Sequence, residues 1–301
     1  MTQNPVALKA NPAQFLEEEI KTYVRESPQN CLKDIDGSPI YEEPLVGFAN
    51  GDNPLFLDYK RIIGDFHFTP REALERHLKE ELNIEAPQDG PVSVISFILP
   101  IARETRINNR QMTEGPSLKW NHTRWYGQAF VEELARHVIS LLREQGFRAV
   151  APGAASFFKT VTLANGMASV WSERHVAYAA GLGTFGLSDG FITPRGMAMR
   201  CGSVVTGLKL PPSPRTYPSH TANCRSYSDG TCGLCATRCP AGAITAQGHD
   251  KILCRQYLFE GLSSWREKPG YMGKYISCGL CQTRVPCEAR IPRKVPRRFI
   301  P

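Results

Sequence analysis

Apolar positions in the first two thirds of the chain follow helical and strand periods in turn. Asn11-Pro12 supplies an N-cap and a helix-compatible proline, and the pattern behind it predicts a helix to about residue 25. Residues 28–54 are rich in Pro, Gly and Asp and read as an irregular crossing segment. Thr69-Pro-Arg-Glu72 has the spacing of a capping box whose helix should run to about residue 82. Residues 92–99 are apolar and β-branched, as in a buried strand. A long amphipathic helix is expected over 124–145, with Gly146 as its left-handed cap and a short strand at 147–151. Another helix over 172–180 should end at Gly181, and strands at 191–193 and 203–206 flank a turn at Pro194-Arg195-Gly196. This alternation predicts one α/β domain over residues 1–210. Leu210-Pro-Pro-Ser-Pro214 reads as a linker, and residues 211–301 form a second domain rich in Cys, Gly and Pro. Such a segment is expected to be held by metal more than by an apolar core.

Composition adds little, since 42% hydrophobic and 22% charged residues are ordinary for a globular chain. The longest apolar run, 92–102, is broken by Pro100 and is too short for a bilayer, so no membrane partner is expected. The first residues, Met1-Thr-Gln-Asn-Pro5, lack a basic and apolar leader, and the expected location is cytoplasmic. The formal charge of +7 gives only a faint bias towards nucleic acid or an acidic redox partner.

The cysteines change the picture. Eight of the ten fall between Cys224 and Cys287, which a disulfide framework explains poorly in a chain of this size. Cys232-Gly-Leu-Cys235-Ala-Thr-Arg-Cys239-Pro240 is echoed by Cys278-Gly-Leu-Cys281-Gln-Thr-Arg-Val285-Pro286-Cys287. Cys-x2-Cys cores followed by Cys-Pro hold [4Fe–4S] clusters in bacterial-type ferredoxins, where the last cysteine reaches the other cluster. The duplication is imperfect. Asp229 stands where the first ligand would be, with Cys224 upstream to replace it; Val285 replaces a ligand that Cys287 can supply. Crossing the halves gives Cys224, Cys232, Cys235 and Cys287 for one cluster and Cys239, Cys254, Cys278 and Cys281 for the other. Two cubanes at about −2 each would bring the chain's charge to about +3. Zinc in two four-cysteine sites is the alternative on the same donor chemistry. Cys31 and Cys201 are left without a role.

Gly181-Leu-Gly183-Thr-Phe-Gly186 matches G-x-G-x-x-G, but a helix precedes it and a Ser-Asp-Gly turn follows, so the strand–turn–helix context of dinucleotide binding is missing. Two readings remain open. The glycines cap a helix and allow tight backbone packing, or they form a floor where backbone approaches a flat cofactor.

Residues 173–206, with Ala180-Gly-Leu-Gly-Thr-Phe-Gly186 and Phe191-Ile-Thr-Pro-Arg-Gly196, followed by the two-cluster module, resemble the epoxyqueuosine reductases and the corrinoid reductive dehalogenases. The match spans about residues 90–290. The resemblance implies a nitroreductase-like α/β domain holding base-off cobalamin, followed by a ferredoxin-like domain with two [4Fe–4S] clusters. It implies a reductase acting on a small molecule or other substrate, fed by a ferredoxin or flavodoxin. Gly181, Gly183, Gly186, Leu187, Ser188, Thr193 and Gly196 should then lie along the corrinoid. Three features depart from the family. Asn165-Gly-Met167-Ala-Ser169 has no carboxylate where epoxyqueuosine reductases carry an acid; Leu187 replaces their usual Lys; and the chain ends soon after the clusters. These departures count against tRNA as the substrate but not against the cofactor class. The alternative is a two-cluster electron carrier or redox sensor without corrinoid.

A reductase needs a proton source. Tyr126, His175 and Tyr178 are the candidates put forward, with Lys159 and Arg200 nearby; His175 and Tyr178 share a helix face. Glu173 reads as a first-turn acid favoured by the helix dipole. Trp120, His122, Trp125 and Tyr126 read as a helix face or a pocket lining. Arg290, Arg293, Lys294, Arg297 and Arg298 read as a solvated basic tail, or as a dock for an acidic electron donor.

Overall fold

A computed structural model describes residues 10–85, 89–164 and 166–293. Asn165 of the loop lacking a carboxylate, and Lys294, Arg297 and Arg298 of the basic tail, lie outside the described residues. The first helix, α1 (Pro12–Glu26), is capped by the Asn11 side chain and buries Leu16, Ile20 and Val24, one residue per turn on one face. Two further helices follow, α2 (Leu55–Ile63) and α3 (Pro70–Leu82), the latter with the full Thr69–Glu72 capping box.

Strand β1 (Leu45–Asn50) lies inside the segment read as irregular. Its mid-strand Gly47 weakens the strand signature, yet a Cβ there would stand 2.6 Å from the Ala180 carbonyl, so the glycine lets the backbone at Ala180 approach the strand. The central strand β2 (Ser93–Pro100) is buried along its whole length. After α4 (Arg103–Arg110) comes the long α5 (Leu118–Glu144), capped by Ser117. It starts earlier than the expected residue 124, because Trp120 and Thr123 extend the buried stripe that continues through Gly127, Phe130, Val131 and Leu134. Gly146 closes it at φ 82°.

Next come β3 (Ala149–Val150), the hairpin β4 (Thr160–Leu163) and β5 (Gly166–Ser169), and α6 (Glu173–Ala179). The short pair β6 (Thr184–Phe185) and β7 (Phe191–Ile192) leads into β8 (Met199–Thr206). The main sheet has the order β1-β2-β8-β3 and is antiparallel throughout. The fold is therefore mixed α and β, without the parallel crossovers that strand–helix alternation suggests. Two apolar clusters sandwich it, one around Leu16, Phe97, Phe130 and Val204, the other around Phe56, Ile98, Trp171 and Val205.

One detail of this sheet positions the site. β3 pairs only with Thr206 and Val205, so residues 199–204 of β8 have no strand beside them on that flank. Backbone groups along this open edge need partners from elsewhere.

Beyond Leu210 regular structure is sparse among the described residues: α7 (Arg225–Ser228), α8 (Leu234–Thr237), the antiparallel pair β9 (Ile244–Thr245) and β10 (Gly248–His249), α9 (Lys251–Gln256) and short turns. The apolar clusters here are small. One gathers Leu187, Ile192, Met197, Cys224, Ile244 and Val285, the other Leu262, Trp265 and Ile276. Contacts with α4 and α5 hold this part in place. Arg110 makes a two-oxygen pair with buried Glu288, at 2.7 and 2.9 Å, and Asn109 donates to Thr283 Oγ1 at 3.1 Å. His122 Nε2 meets the Gly270 carbonyl at 2.7 Å. Gly279 at φ 65° has Trp120 2.1 Å from where a Cβ would stand, so only glycine allows this seating beside Cys278.

Candidate redox site

The eight cysteines gather in two groups. Cys224, Cys232, Cys235 and Cys287 line one narrow cavity together with Leu187, Ser188 and Met197. Burial, and then the charges of Cys235, Cys224 and Cys232, push the Cys287 thiol up to about 12; the Cys235 thiol rises to about 11 for the same reasons. In the second group Cys281 is pushed well above its ordinary value by burial first, then by Cys278, Cys254, Cys235 and Cys239. Cys278 is raised to about 12, with Cys239 and Cys254 among its neighbours. Cys235 and Cys281 are within electrostatic reach of each other, so the two groups adjoin. Four thiols pushed up together cannot all ionise without a compensating cation. No three His, Cys, Asp or Glu side chains among the described residues are grouped as ligands of a single ion.

The turn Thr193–Gly196 fixes the first group. Thr193 Oγ1 donates to the Gly196 carbonyl at 2.9 Å, and Gly196 takes φ 87°. A Cβ on Gly196 would stand 2.3 Å from the Glu288 carbonyl, so this turn seats the backbone next to Cys287. Met197 N–H then donates to the Cys287 carbonyl at 2.8 Å.

The glycine segment packs closely on other backbone. At Gly181 a Cβ would stand 2.4 Å from the Pro214 carbonyl, at Gly183 2.4 Å from the Ile192 carbonyl, and at Gly186 3.2 Å from the Ile192 side chain. Protein backbone, not an open cavity, takes up the space at Gly181 and Gly183, in line with the tight-packing reading of the motif. Leu187 and Ser188 border the first cysteine group, and Thr193 is fully buried in its turn.

The large cavity, about 840 Å³, opens instead at the free edge of β8. Its walls include Met199, Arg200, Cys201 and Ser203 of β8, Trp120 and Arg124 of α5, and Glu173 and Arg174 at the start of α6. On its far side stand Tyr275, Ser277 and Gln282. Ser277 adjoins Cys278 and Gln282 adjoins Cys281, so the second cysteine group borders this cavity. None of the glycine-segment residues lines it.

Of the proton-donor candidates, Tyr126, His175 and Tyr178 are all outside the cavity lining. The Tyr126 hydroxyl donates to the Asp34 carboxylate, with Lys33 4.7 Å from the ring centre. His175 and Tyr178 do share a face, but it packs on Phe185, at 4.8 and 6.2 Å between ring centres. Burial first, then Arg174, lowers the His175 pKa to about 3, so the ring is neutral and structural at physiological pH. A group depressed in this way contributes stability above its unfolded value of 6.5, and loses it as pH falls towards 3. His175→Gln is therefore expected to flatten the acid side of the stability curve by roughly 3 kcal/mol relative to the parent, read by urea unfolding from pH 7 to 4. Equal slopes in the two proteins would contradict a neutral, desolvated His175.

Sequence reasoning missed Glu173. It sits at the cavity wall with its Oε2 buried and without a hydrogen-bond partner among the described residues. Burial raises its pKa to about 8, only partly offset by Ser203 and Trp171 beside it. Trp171 Nε1 itself donates to Ser203 Oγ at 3.0 Å. Gly153 leaves the carboxyl its room, since a Cβ there would stand 2.5 Å from Oε1. Glu173 therefore carries its proton at neutral pH and faces the cavity as an acid. The dipole of a first turn would favour the opposite state; the position under β8 decides. Cys201, also at this wall, is pushed up to about 12 by burial and Glu173, and stays a thiol.

No family model matches the chain, and no curated protein matches its sequence. Among solved structures the similar ones include epoxyqueuosine reductases and reductive dehalogenases. The epoxyqueuosine reductase from Bacillus subtilis is 15% identical, covers 92% of this chain and aligns with a TM-score of 0.46. An epoxyqueuosine reductase bound to a modified tRNA stem loop is 16% identical, with the same coverage and a TM-score of 0.46. A catabolic reductive dehalogenase is 14% identical over 82% of this chain, with a TM-score of 0.48. The chain spans 66% of the length of the epoxyqueuosine reductases and 30% of the dehalogenase. Among the described residues no helix is long and apolar enough to cross a membrane.

Proposed function

We propose that the chain is an iron–sulfur reductase. A ferredoxin-like domain, residues 211–301, would hold two [4Fe–4S] clusters, and a nitroreductase-like domain, residues 1–210, would supply most of the wall of the 840 Å³ cavity that would take a corrinoid. The observation that carries this is the gathering of eight cysteines into two adjoining groups, one of which borders the cavity. Cys224, Cys232, Cys235 and Cys287 would hold one cluster, and Cys239, Cys254, Cys278 and Cys281 the other. Thiolate sets of this kind suit iron–sulfur clusters. The cavity volume is near the upper end of ordinary ligand sites, as a large flat cofactor needs. When bound, a corrinoid supplies low-valent cobalt chemistry.

The chain's own residues do the rest. The open edge of β8 offers unpaired N–H and C=O groups to amide-bearing substituents of a cofactor. Glu173 holds a proton at the cavity wall at neutral pH and can release it to a substrate as charge develops there. Trp120 and Tyr275 line the same cavity. The substrate is a small molecule, and the electron donor a ferredoxin or flavodoxin; exposed Arg290 and Arg293 offer such an acidic donor a basic approach.

The test is retention of corrinoid. Cluster-loaded protein is incubated anaerobically with hydroxocobalamin, desalted, and analysed for cobalt and by EPR after mild reduction. About one cobalt per chain with a base-off cob(II)alamin spectrum is expected. Clusters without retained cobalt would replace this reading with that of an electron carrier.

A further inference from the structure

The cavity has an excess of cationic groups that no ion pair among the described residues neutralises. Arg124, Arg174 and Arg200 all line it, while its carboxyl groups are Glu132 and the protonated Glu173. Glu132 is occupied by Gln128, which donates to it at 3.2 Å. Arg174 donates to a backbone carbonyl, that of Asp189. Arg124 donates to the Tyr275 hydroxyl at 3.1 Å, and its guanidinium lies 5.4 Å from the Tyr275 ring centre.

Arg200 is the extreme case. It projects from the open-edged part of β8, and its side chain makes no hydrogen bond or ion pair with any described residue. Its electrostatic neighbours are Arg124, which repels it, and the neutral side chains of Tyr41, Tyr275 and Cys201. Burial and Arg124 both lower its pKa, yet the side chain stays partly accessible where it lines the cavity. An enclosed guanidinium without a counter-charge is costly to a fold. A pair of them facing one open volume is a place where an anion from outside would be held by forked, charge-assisted hydrogen bonds.

We propose that Arg200 and Arg124 form an oxyanion-binding end of the cavity, and that a carboxylate or phosphate of the bound molecule sits between them. Two sources share this chemistry, an anionic substrate and the phosphodiester of a complete corrinoid. The anion site does not require that a corrinoid binds, so its test is made first on cluster-loaded, corrinoid-free protein.

Inorganic phosphate is titrated against the parent chain, Arg200→Gln and Arg200→Lys at constant ionic strength, following the thermal midpoint and the heat of binding. Phosphate is expected to stabilise the parent. Arg200→Gln should weaken binding by about 10- to 100-fold, and Arg200→Lys should fall between them, since it keeps the charge and loses the fork. Without phosphate, Arg200→Gln should melt no lower than the parent, because it removes an uncompensated enclosed charge. Equal phosphate affinity in all three proteins overturns the proposal. So does a parent that ignores phosphate while Arg200→Gln melts lower at every phosphate concentration, which would make Arg200 purely structural. Hydroxocobalamin and dicyanocobinamide, which lacks the phosphodiester, then separate the sources. If Arg200→Gln weakens only the former, the cofactor supplies the anion. If both corrinoids bind the variant as they bind the parent, and phosphate still binds the corrinoid-loaded parent, the substrate supplies it.

Discussion

A chain carrying Cys281→Ala is expected to hold about four irons where the parent holds about eight. Cys281 is the most enclosed of its group and feels Cys278, Cys254 and Cys239 at once, so its loss opens the second site and leaves the first with its own four sulfurs. Folding should suffer as well. Beyond Leu210 the apolar clusters are small, and metal binding there is folding free energy. Residues 251–282, which reach the second site and pack on α5, should become protease-sensitive while the sheet of the first 210 residues survives. Cys31→Ala is the control. Cys31 bridges Pro39 in the loop after α1, away from both groups, and its removal should leave iron unchanged. Full iron content in Cys281→Ala would show that the second group is wrongly drawn.

The second large effect concerns Glu173. Its pKa is raised from 4.5 to about 8, so the folded state keeps a proton that the unfolded state has lost. The sign follows from linkage. Stability from this group is fully present below about pH 4.5 and is lost as pH rises through about 8. At about 1.4 kcal/mol per pH unit, the separation bounds the loss at roughly 5 kcal/mol. Glu173→Gln mimics the protonated acid and should show no such loss. Near pH 5 the two proteins should unfold at similar urea concentrations, and at pH 9 the variant should be the more stable. A parent that gains on the variant as pH rises would mean that Glu173 is an ordinary ionised carboxylate.

These two sites differ in how far the sequence revealed them. Local cysteine spacing already suggested Cys224 and Cys287 as replacements at Asp229 and Val285, and the fold places Cys224, Cys232, Cys235 and Cys287 around one narrow cavity. Glu173 was not legible. Its own neighbourhood, Trp171-Ser-Glu-Arg174 at a helix start, suggests a solvated first-turn acid, and only the packing of α6 beneath the open edge of β8 buries it. The glycine motif was open to two readings for a related reason. Positive φ at Gly181 and Gly196 was foreseeable, but whether the space at a missing Cβ faces a cofactor or protein depends on Pro214, Ile192 and Glu288, which are distant in sequence from most of the glycines they meet. Strand β1 was missed because Gly47 and the flanking Pro44 and Gly51 look like loop, while its register is set by β2, some fifty residues on. Helix boundaries with local caps, at Asn11, Thr69 and Gly146, were read correctly from sequence.

The most direct measurement is the metal itself. Protein purified without air should contain about eight irons and about eight acid-labile sulfides per chain. On reduction its EPR spectrum should show two interacting [4Fe–4S] centres, because Cys235 of one group and Cys281 of the other adjoin. About two zinc ions per chain with no labile sulfide would contradict the account at its root.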